Sequence, residues 1–82
     1  MERIEVLGVG RPSCWRLEAK ARETVAMAGI EAEIVKVTDD REIAGHGVMG
    51  TPGLVIDGRV VAVGRIPSAR EIAPWIVGQD PR

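Results

Sequence analysis

The chain contains one cysteine, no phenylalanine and no tyrosine among its 82 residues. A single cysteine excludes any disulfide bond within the chain. Trp15 and Trp75 are the only large aromatic side chains, so the rings on which single-stranded nucleic acids stack are scarce. A chain of this length can build one small domain with a thin core, and we expect residues 1–82 to form a single domain.

The chain also has no excess of charge of one sign. Eleven Lys and Arg residues against twelve Asp and Glu residues leave a formal net charge of −1, too small to attract nucleic acid or an anionic membrane. The sequence has no apolar run long enough to span a membrane, and its first residues lack the basic-then-apolar pattern of a secretory signal. The prediction is a cytoplasmic protein with no nucleic-acid or membrane partner; the oligomeric state stays open.

The first half of the chain predicts a β-α-β unit followed by a short helix. The elements are a strand over residues 4–7, a helix from 12 to about 28, a strand over 31–37 and a short helix through 44. Pro12 and Ser13 are both favoured in the first turn of a helix. Thr38 or Asp39 is the cap of the short helix. The second strand alternates and is rich in β-branched residues. The first helix has one apolar face at helical spacing, formed by Leu17, Ala21, Thr24, Val25 and Ala28.

The second half predicts a β-hairpin and a last helix. The hairpin strands cover residues 54–56 and 60–63. Asp57-Gly58 lies between them, and Asp-Gly supplies the positive φ angles of a type I′ turn. Ser68 and Glu71 have the spacing of a capping box that opens the last helix. Pro74 lies inside that helix and is expected to kink or shorten it, because proline removes a hydrogen-bond donor.

The element order and the motifs together resemble the smallest form of the thioredoxin fold. More narrowly, they resemble the small redox-active disulfide proteins, which are thioredoxin-like and glutaredoxin-sized. The resemblance covers nearly the whole chain and rests on residues 4–8, on Pro12 and Cys14, and on segments 35–39, 47–52, 54–58 and 64–68. The predicted fold is therefore α/β and thioredoxin-like, with element order βαβαββα, helices on both faces, and a four-stranded mixed sheet in the order 2-1-3-4.

The resemblance also assigns residues to a site. Members of that family carry a Cys-Pro-x-Cys motif at the first strand-to-helix turn. Cys14 matches the second, resolving cysteine and Pro12 the proline, but Arg11 stands where the nucleophilic cysteine would be. Thr51-Pro52 matches a Thr-Pro pair whose proline is cis and faces the cysteines, in a loop that holds an extended peptide. The chain thus resembles protein disulfide oxidoreductases and lacks their attacking sulfur.

The missing sulfur decides which chemistry is left. Exchange begins when an exposed thiolate attacks a disulfide, and a second nearby thiol then releases the product. The cysteine that remains here is the one that is more buried in the family, so its thiol has weaker reason to ionise. Two interpretations of Cys14 stay open. It is either an inert, packed thiol or a redox-reactive one activated by the neighbouring Arg11.

The residues around Cys14 are candidates for contact with a partner. Trp15 lies off the apolar face of the first helix, so we expect it to be partly exposed, either as an ordinary surface residue or as a partner's anchor. Arg11 is either a solvated cation or an anion-binding group at the helix start. The predicted partner-binding residues are Arg11, Pro12, Ser13, Trp15, Thr51 and Pro52.

His46, between two glycines, is interpreted as a loop residue, and with no ligand-spaced partners the sequence predicts neither a metal site nor a cofactor.

The leading hypothesis is a thioredoxin-like redox protein with a degenerate one-cysteine site. Its two-thiol activity would be lost or strongly reduced, leaving a mixed disulfide with a protein or peptide, or a glutathione adduct, at Cys14. The alternative is a non-catalytic binding module of the same fold for a peptide or an anionic ligand.

Overall fold

The computed structural model describes residues 2–8, 12–48 and 50–76. The elements are β1 (Glu2–Leu7), α1 (Pro12–Ala28), β2 (Ala32–Val37), α2 (Asp40–Gly45), β3 (Gly53–Ile56), β4 (Arg59–Val63) and α3 (Ala69–Ile76). Each element that the sequence predicts is present, with ends that differ by two residues at most. No helix among the described residues has the length and apolar character needed to cross a membrane.

The strands form one four-stranded sheet in the order β2-β1-β3-β4. β1 is parallel to β2 and antiparallel to β3, and β3 and β4 form the antiparallel hairpin. The predicted mixed sheet and its strand order are therefore confirmed. β1 lies inside the sheet, with both of its edges paired.

Two apolar clusters cover the two faces of the sheet. Side chains alternate along a strand, so the even-numbered residues of β1 face α1 and α3, and the odd-numbered ones face α2. The larger cluster comprises Ile4, Val6, Leu17, Ala21, Leu54, Ile56, Ala62, Ile72 and Ile76. The smaller cluster, under α2, comprises Leu7, Val37, Ile43 and Val55. The sheet has helices on both faces, as predicted. Alternating apolar residues along the strands give each face an apolar surface on which helices pack.

Local sequence signals appear as specific hydrogen bonds. Asp39 caps α2, and its Oδ1 accepts from two amides of the first turn at 2.7 and 3.3 Å. At the start of α3, the Ser68 amide donates to Glu71 Oε2 at 2.9 Å, and the Glu71 amide donates to Ser68 Oγ at 3.2 Å. Asp57 and Gly58 have φ angles of 50° and 85°, as the type I′ turn requires. The cap, the capping box and the turn are confirmed.

One expectation about the helices needs correction. Ala28, placed on the apolar face of α1, is exposed and lines an open groove between α1 and α3. Pro74 lies inside α3, which is described to Ile76, and the expected kink or shortening stays a prediction. The carbonyl that loses its donor belongs to Arg70, in the first turn of α3, so the loss is confined to the start of the helix.

Candidate functional site

Cys14 lies in the first turn of α1, and its side chain is buried, with 6 % exposed. The sulfur rests against Gly8, the residue that follows β1. A β-carbon at position 8 would overlap the Cys14 Sγ and would lie 3.0 Å from the Cys14 Cβ. The absence of a side chain at Gly8 therefore leaves room for the thiol of Cys14. Glycine is often found where another group approaches the backbone this closely.

Pro52 lies at the same end of β1 as Gly8. The antiparallel register pairs Leu7 with Gly53, and Gly8 and Pro52 are the residues next to this last pair. Because side chains alternate, Pro52 falls on the face of the sheet that α1 covers, the face of Cys14. Pro52 is buried, the preceding Thr51 is exposed, and the peptide bond between them is cis. Strand register thus places Cys14 and Pro52, far apart in sequence, on the same face and at the same end of β1.

A narrow cavity opens on the β2 side of the thiol. It has a volume of about 80 Å³ and is lined by Val6, Gly8, Cys14, Trp15, Lys36 and Thr38; we call it the Cys14 cavity. The Lys36 ammonium lies 3.8 Å from a Glu18 carboxylate oxygen. The cavity can hold a few water molecules but is well below the roughly 300–1,000 Å³ of small-molecule sites. A larger ligand could insert only one group here.

The exposed surface next to the thiol includes the first residues of α1. Trp15 is 57 % exposed, Pro12 is exposed and Ser13 is half-buried. The first turn of α1 carries no acidic side chain, so no carboxylate of that turn offsets the positive end of the helix. Arg11, the remaining predicted partner-binding residue, lies outside the described residues.

Sequence reasoning did not assign Lys36 and Thr38 to the site, or identify Gly8 as the seat of the thiol. A glycine placed immediately after a buried strand was the available signal for Gly8. No local signal marks Lys36 or Thr38, because they reach the thiol through the parallel pairing of β1 with β2. They add one cation and one hydroxyl to the surroundings of Cys14.

His46 is not part of this site. Its Nε2 lies 3.5 Å from Glu5 Oε1, and Glu5, an odd-numbered residue of β1, points to the face opposite that of Cys14. Within the described ranges, no group of three or more His, Cys, Asp or Glu side chains could hold a metal ion.

A second groove lies between α1 and α3, away from Cys14. It has a volume of about 370 Å³ and is lined by Thr24, Met27, Ala28, Ala69, Arg70 and Ala73. Met27 is 73 % exposed there. No sequence prediction concerned this groove, and none of its lining residues lines the Cys14 cavity.

Comparisons with known proteins agree with this geometry. A family model described as a thioredoxin domain matches residues 2–77. A thioredoxin of Methanothermobacter thermautotrophicus is 39 % identical over 72 residues, which cover 88 % of this chain and 94 % of the relative. A thioredoxin of Methanocaldococcus jannaschii is 45 % identical over 69 residues, which cover 84 % of this chain and 79 % of the relative.

Proposed function

The chain belongs to the thioredoxin domain family, and from this premise we propose a redox protein in which two-thiol turnover is lost or strongly reduced. The remaining chemistry is the formation of one mixed disulfide at Cys14, with a protein or peptide partner or with glutathione. Such chemistry belongs in a thiol-reducing compartment, for which the cytoplasm is the default.

The number of thiols in the chain carries the proposal. Dithiol turnover needs an attacking thiol and a second thiol that resolves the mixed disulfide, and the chain holds Cys14 alone. The thioredoxin fold, with Cys14 and Pro52 at the same end of β1, supports partner binding at this site. It does not replace the missing thiol.

The one-thiol step is a simple exchange. The Cys14 thiolate attacks one sulfur of a partner disulfide, a new S–S bond forms to Cys14, and the partner's other sulfur leaves as a thiolate. An external thiolate such as glutathione then attacks the mixed disulfide and releases Cys14. The burial of Cys14, at 6 % exposed, makes the first attack slow, because the disulfide must reach the sulfur through the narrow Cys14 cavity or beside Pro52.

A second candidate function is a non-catalytic binding module. The exposed Trp15, at 57 %, favours it, because an exposed tryptophan beside a peptide-binding loop is a typical anchor in protein interfaces. In this function the thiol is only a packed core group. Pro12, Thr51 and Pro52 would then hold a peptide or an anionic ligand without reaction.

Adduct formation distinguishes the two functions. The folded protein is incubated with glutathione disulfide, quenched with acid and analysed by intact-mass spectrometry, with Cys14→Ser as the control. One glutathione on the folded wild type and none on Cys14→Ser supports one-thiol chemistry. Modification of the urea-unfolded chain but not of the folded protein supports the binding module.

Insulin reduction tests the loss of dithiol turnover. With only a catalytic electron donor, we expect no rate above background, since one sulfur cannot complete the release step. Turnover that appears when glutathione is added would support the one-thiol mechanism. Rapid turnover without an added thiol would overturn the proposal.

A further inference from the structure

The last turn of α1 exposes an apolar surface. Residues 25–30 carry no charged, hydroxyl or amide side chain. Met27 is 73 % exposed, and Ala26 and Ala28 are exposed beside it. Single exposed apolar residues are ordinary, whereas a contiguous apolar patch marks an interaction site. The features that adjoin Met27 therefore decide what this surface does.

Met27 adjoins the groove of about 370 Å³ between α1 and α3. On its α3 side the groove is lined by Ala69, Arg70 and Ala73. The two alanines leave the groove open, because their side chains end at the Cβ atom. An exposed methionine and a recess with small walls thus lie side by side on one surface. Methionine is unbranched and fills irregular spaces, so its side chain suits a recess of this kind.

The two sides of this surface carry opposite charges. Arg70, on the α3 side, is exposed and has no ion-pair partner in the described part of the chain. Glu23, on α1, is exposed and lies 3.3 Å from the Lys20 ammonium on the same helix. An exposed pair of this type contributes little, so the Glu23 carboxylate remains available to a second cation.

Helix geometry fixes the position of Glu23 relative to the groove. A residue four positions before another lies about 40° around the helix axis from it. Glu23 is therefore next to Met27, on the side away from Thr24 and Ala28, which line the groove. The order across the surface is Glu23, Met27, groove, and then the α3 side with Arg70.

We propose that this surface is the interface of a homodimer in which each Met27 is seated in the groove of the other copy. A two-fold axis sets a patch against an identical patch, so each contact occurs twice. Rotation by 180° about an axis between Met27 and the groove reverses the order of features across the patch. Met27 then faces the groove of the partner, and Glu23 faces the partner's Arg70.

A second copy fits this surface because the apolar side chain, the recess and both charges belong to the same patch. Any other occupant would have to bring an apolar group and a carboxylate at matching spacing. The groove shares no lining residue with the Cys14 cavity, so the inference does not depend on whether Cys14 reacts. Two helices from each copy make a small interface, and we expect a weak, concentration-dependent dimer.

Sedimentation velocity from micromolar to millimolar concentration tests the dimer. A reductant is present throughout, so that no dimer arises from a disulfide between two Cys14 thiols. We expect a monomer–dimer equilibrium in the wild type and a Kd that is several-fold higher in Met27→Ala, which removes the central anchor. Val63→Ala removes another exposed apolar side chain, on β4 and outside the groove. This matched control should leave Kd unchanged.

Charge reversal tests the two-fold geometry. Glu23→Arg and Arg70→Glu, each first shown to be folded by circular dichroism, should both weaken self-association, because each sets like charges opposite one another. Mixed in equal amounts, the two variants should form a heterodimer, since both contacts between positions 23 and 70 then join opposite charges. Glu42→Arg, an exposed residue of α2 on the other face of the sheet, is the control and should self-associate as the wild type does.

Three results would overturn the proposal. A wild type that stays monomeric at millimolar concentration would mean that the groove takes a different occupant or none. A dimer whose Kd is unchanged in Met27→Ala would use another surface. A mixture of Glu23→Arg and Arg70→Glu that stays monomeric would contradict the two-fold arrangement.

Discussion

The sulfur of Cys14 occupies the space that a side chain at position 8 would fill, because Gly8 lies directly against it. This contact joins the end of β1 to the first turn of α1. It also fixes the place of the thiol at the wall of the Cys14 cavity.

Gly8→Ala should therefore lower the free energy of unfolding. The added methyl overlaps a buried sulfur, and overpacking of this kind costs about 1–3 kcal/mol. Urea denaturation monitored by circular dichroism measures the change. Cys14→Ala in the same chain should recover part of it, since the sulfur is gone while the Cβ atom of residue 14 stays 3.0 Å from the new methyl.

Gly45→Ala is the control for that experiment. Nothing lies within 4 Å of a β-carbon built at Gly45, which is the last residue of α2. Alanine there should be neutral or stabilising by up to about 1 kcal/mol. Equal changes in the free energy of unfolding for Gly8→Ala and Gly45→Ala would contradict the close contact between the Cys14 sulfur and Gly8.

Arg11→Cys should rebuild a redox pair with Cys14. Residues three apart at a helix start lie on one side, with Cβ atoms about 5–6 Å apart in a regular turn. A disulfide needs about 3.8 Å between the Cβ atoms, so pair formation tests whether the chain can bring positions 11 and 14 that close. Mass spectrometry after mild oxidation should show a monomer lighter by two hydrogen atoms. Disulfide-linked dimers alone would show that the two positions do not face each other.

Trp15→Ala should make the Cys14 thiol easier to reach. Trp15 lines the Cys14 cavity and is 57 % exposed, so its removal widens the entrance with little loss of core packing. We expect alkylation of the folded protein by iodoacetamide to become several-fold faster, at nearly unchanged stability. Met27→Ala, an exposed residue of α1 outside the cavity, should leave the rate unchanged. Equal rates in wild type and Trp15→Ala would mean that the thiol is reached from the Pro52 side.

Glu71→Gln should change how stability depends on pH. The Ser68 amide, and next the Arg65 guanidinium, lower the pKa of the Glu71 carboxyl. A lowered pKa in the folded state means that the stabilisation is complete above the ordinary pKa of glutamate, about 4.3, and is lost as the pH falls through the folded value. Wild type should melt at a higher temperature than Glu71→Gln at neutral pH, and the two should converge in acid. Glu31→Gln, an exposed carboxylate outside α3, is the control; a Glu71→Gln difference that persists in acid would contradict the argument.

Much of the fold could be predicted because its signals are local. Pro12 starts a helix, Asp57-Gly58 makes a tight turn, and Ser68 with Glu71 closes a capping box through contacts between residues at most three apart. Alternation along the strands determined which residues face which helix layer. The family resemblance supplied the strand order, and with it the neighbourhood of Cys14 and Thr51-Pro52.

The tertiary structure alone decided which distant residues meet. In the sequence, Glu5 lies between two apolar residues and His46 is predicted to be a loop residue. In the structure, His46 Nε2 lies 3.5 Å from Glu5 Oε1. Gly8 contacts the Cys14 sulfur, and Lys36 lines the Cys14 cavity. Both contacts depend on the position of β1 between β2 and β3, with α1 packed across its face. The sequence by itself determined that one thiol is present and that two-thiol chemistry lacks its second thiol. The environment of that sulfur depends on strand register and helix packing, which no short segment of the chain specifies.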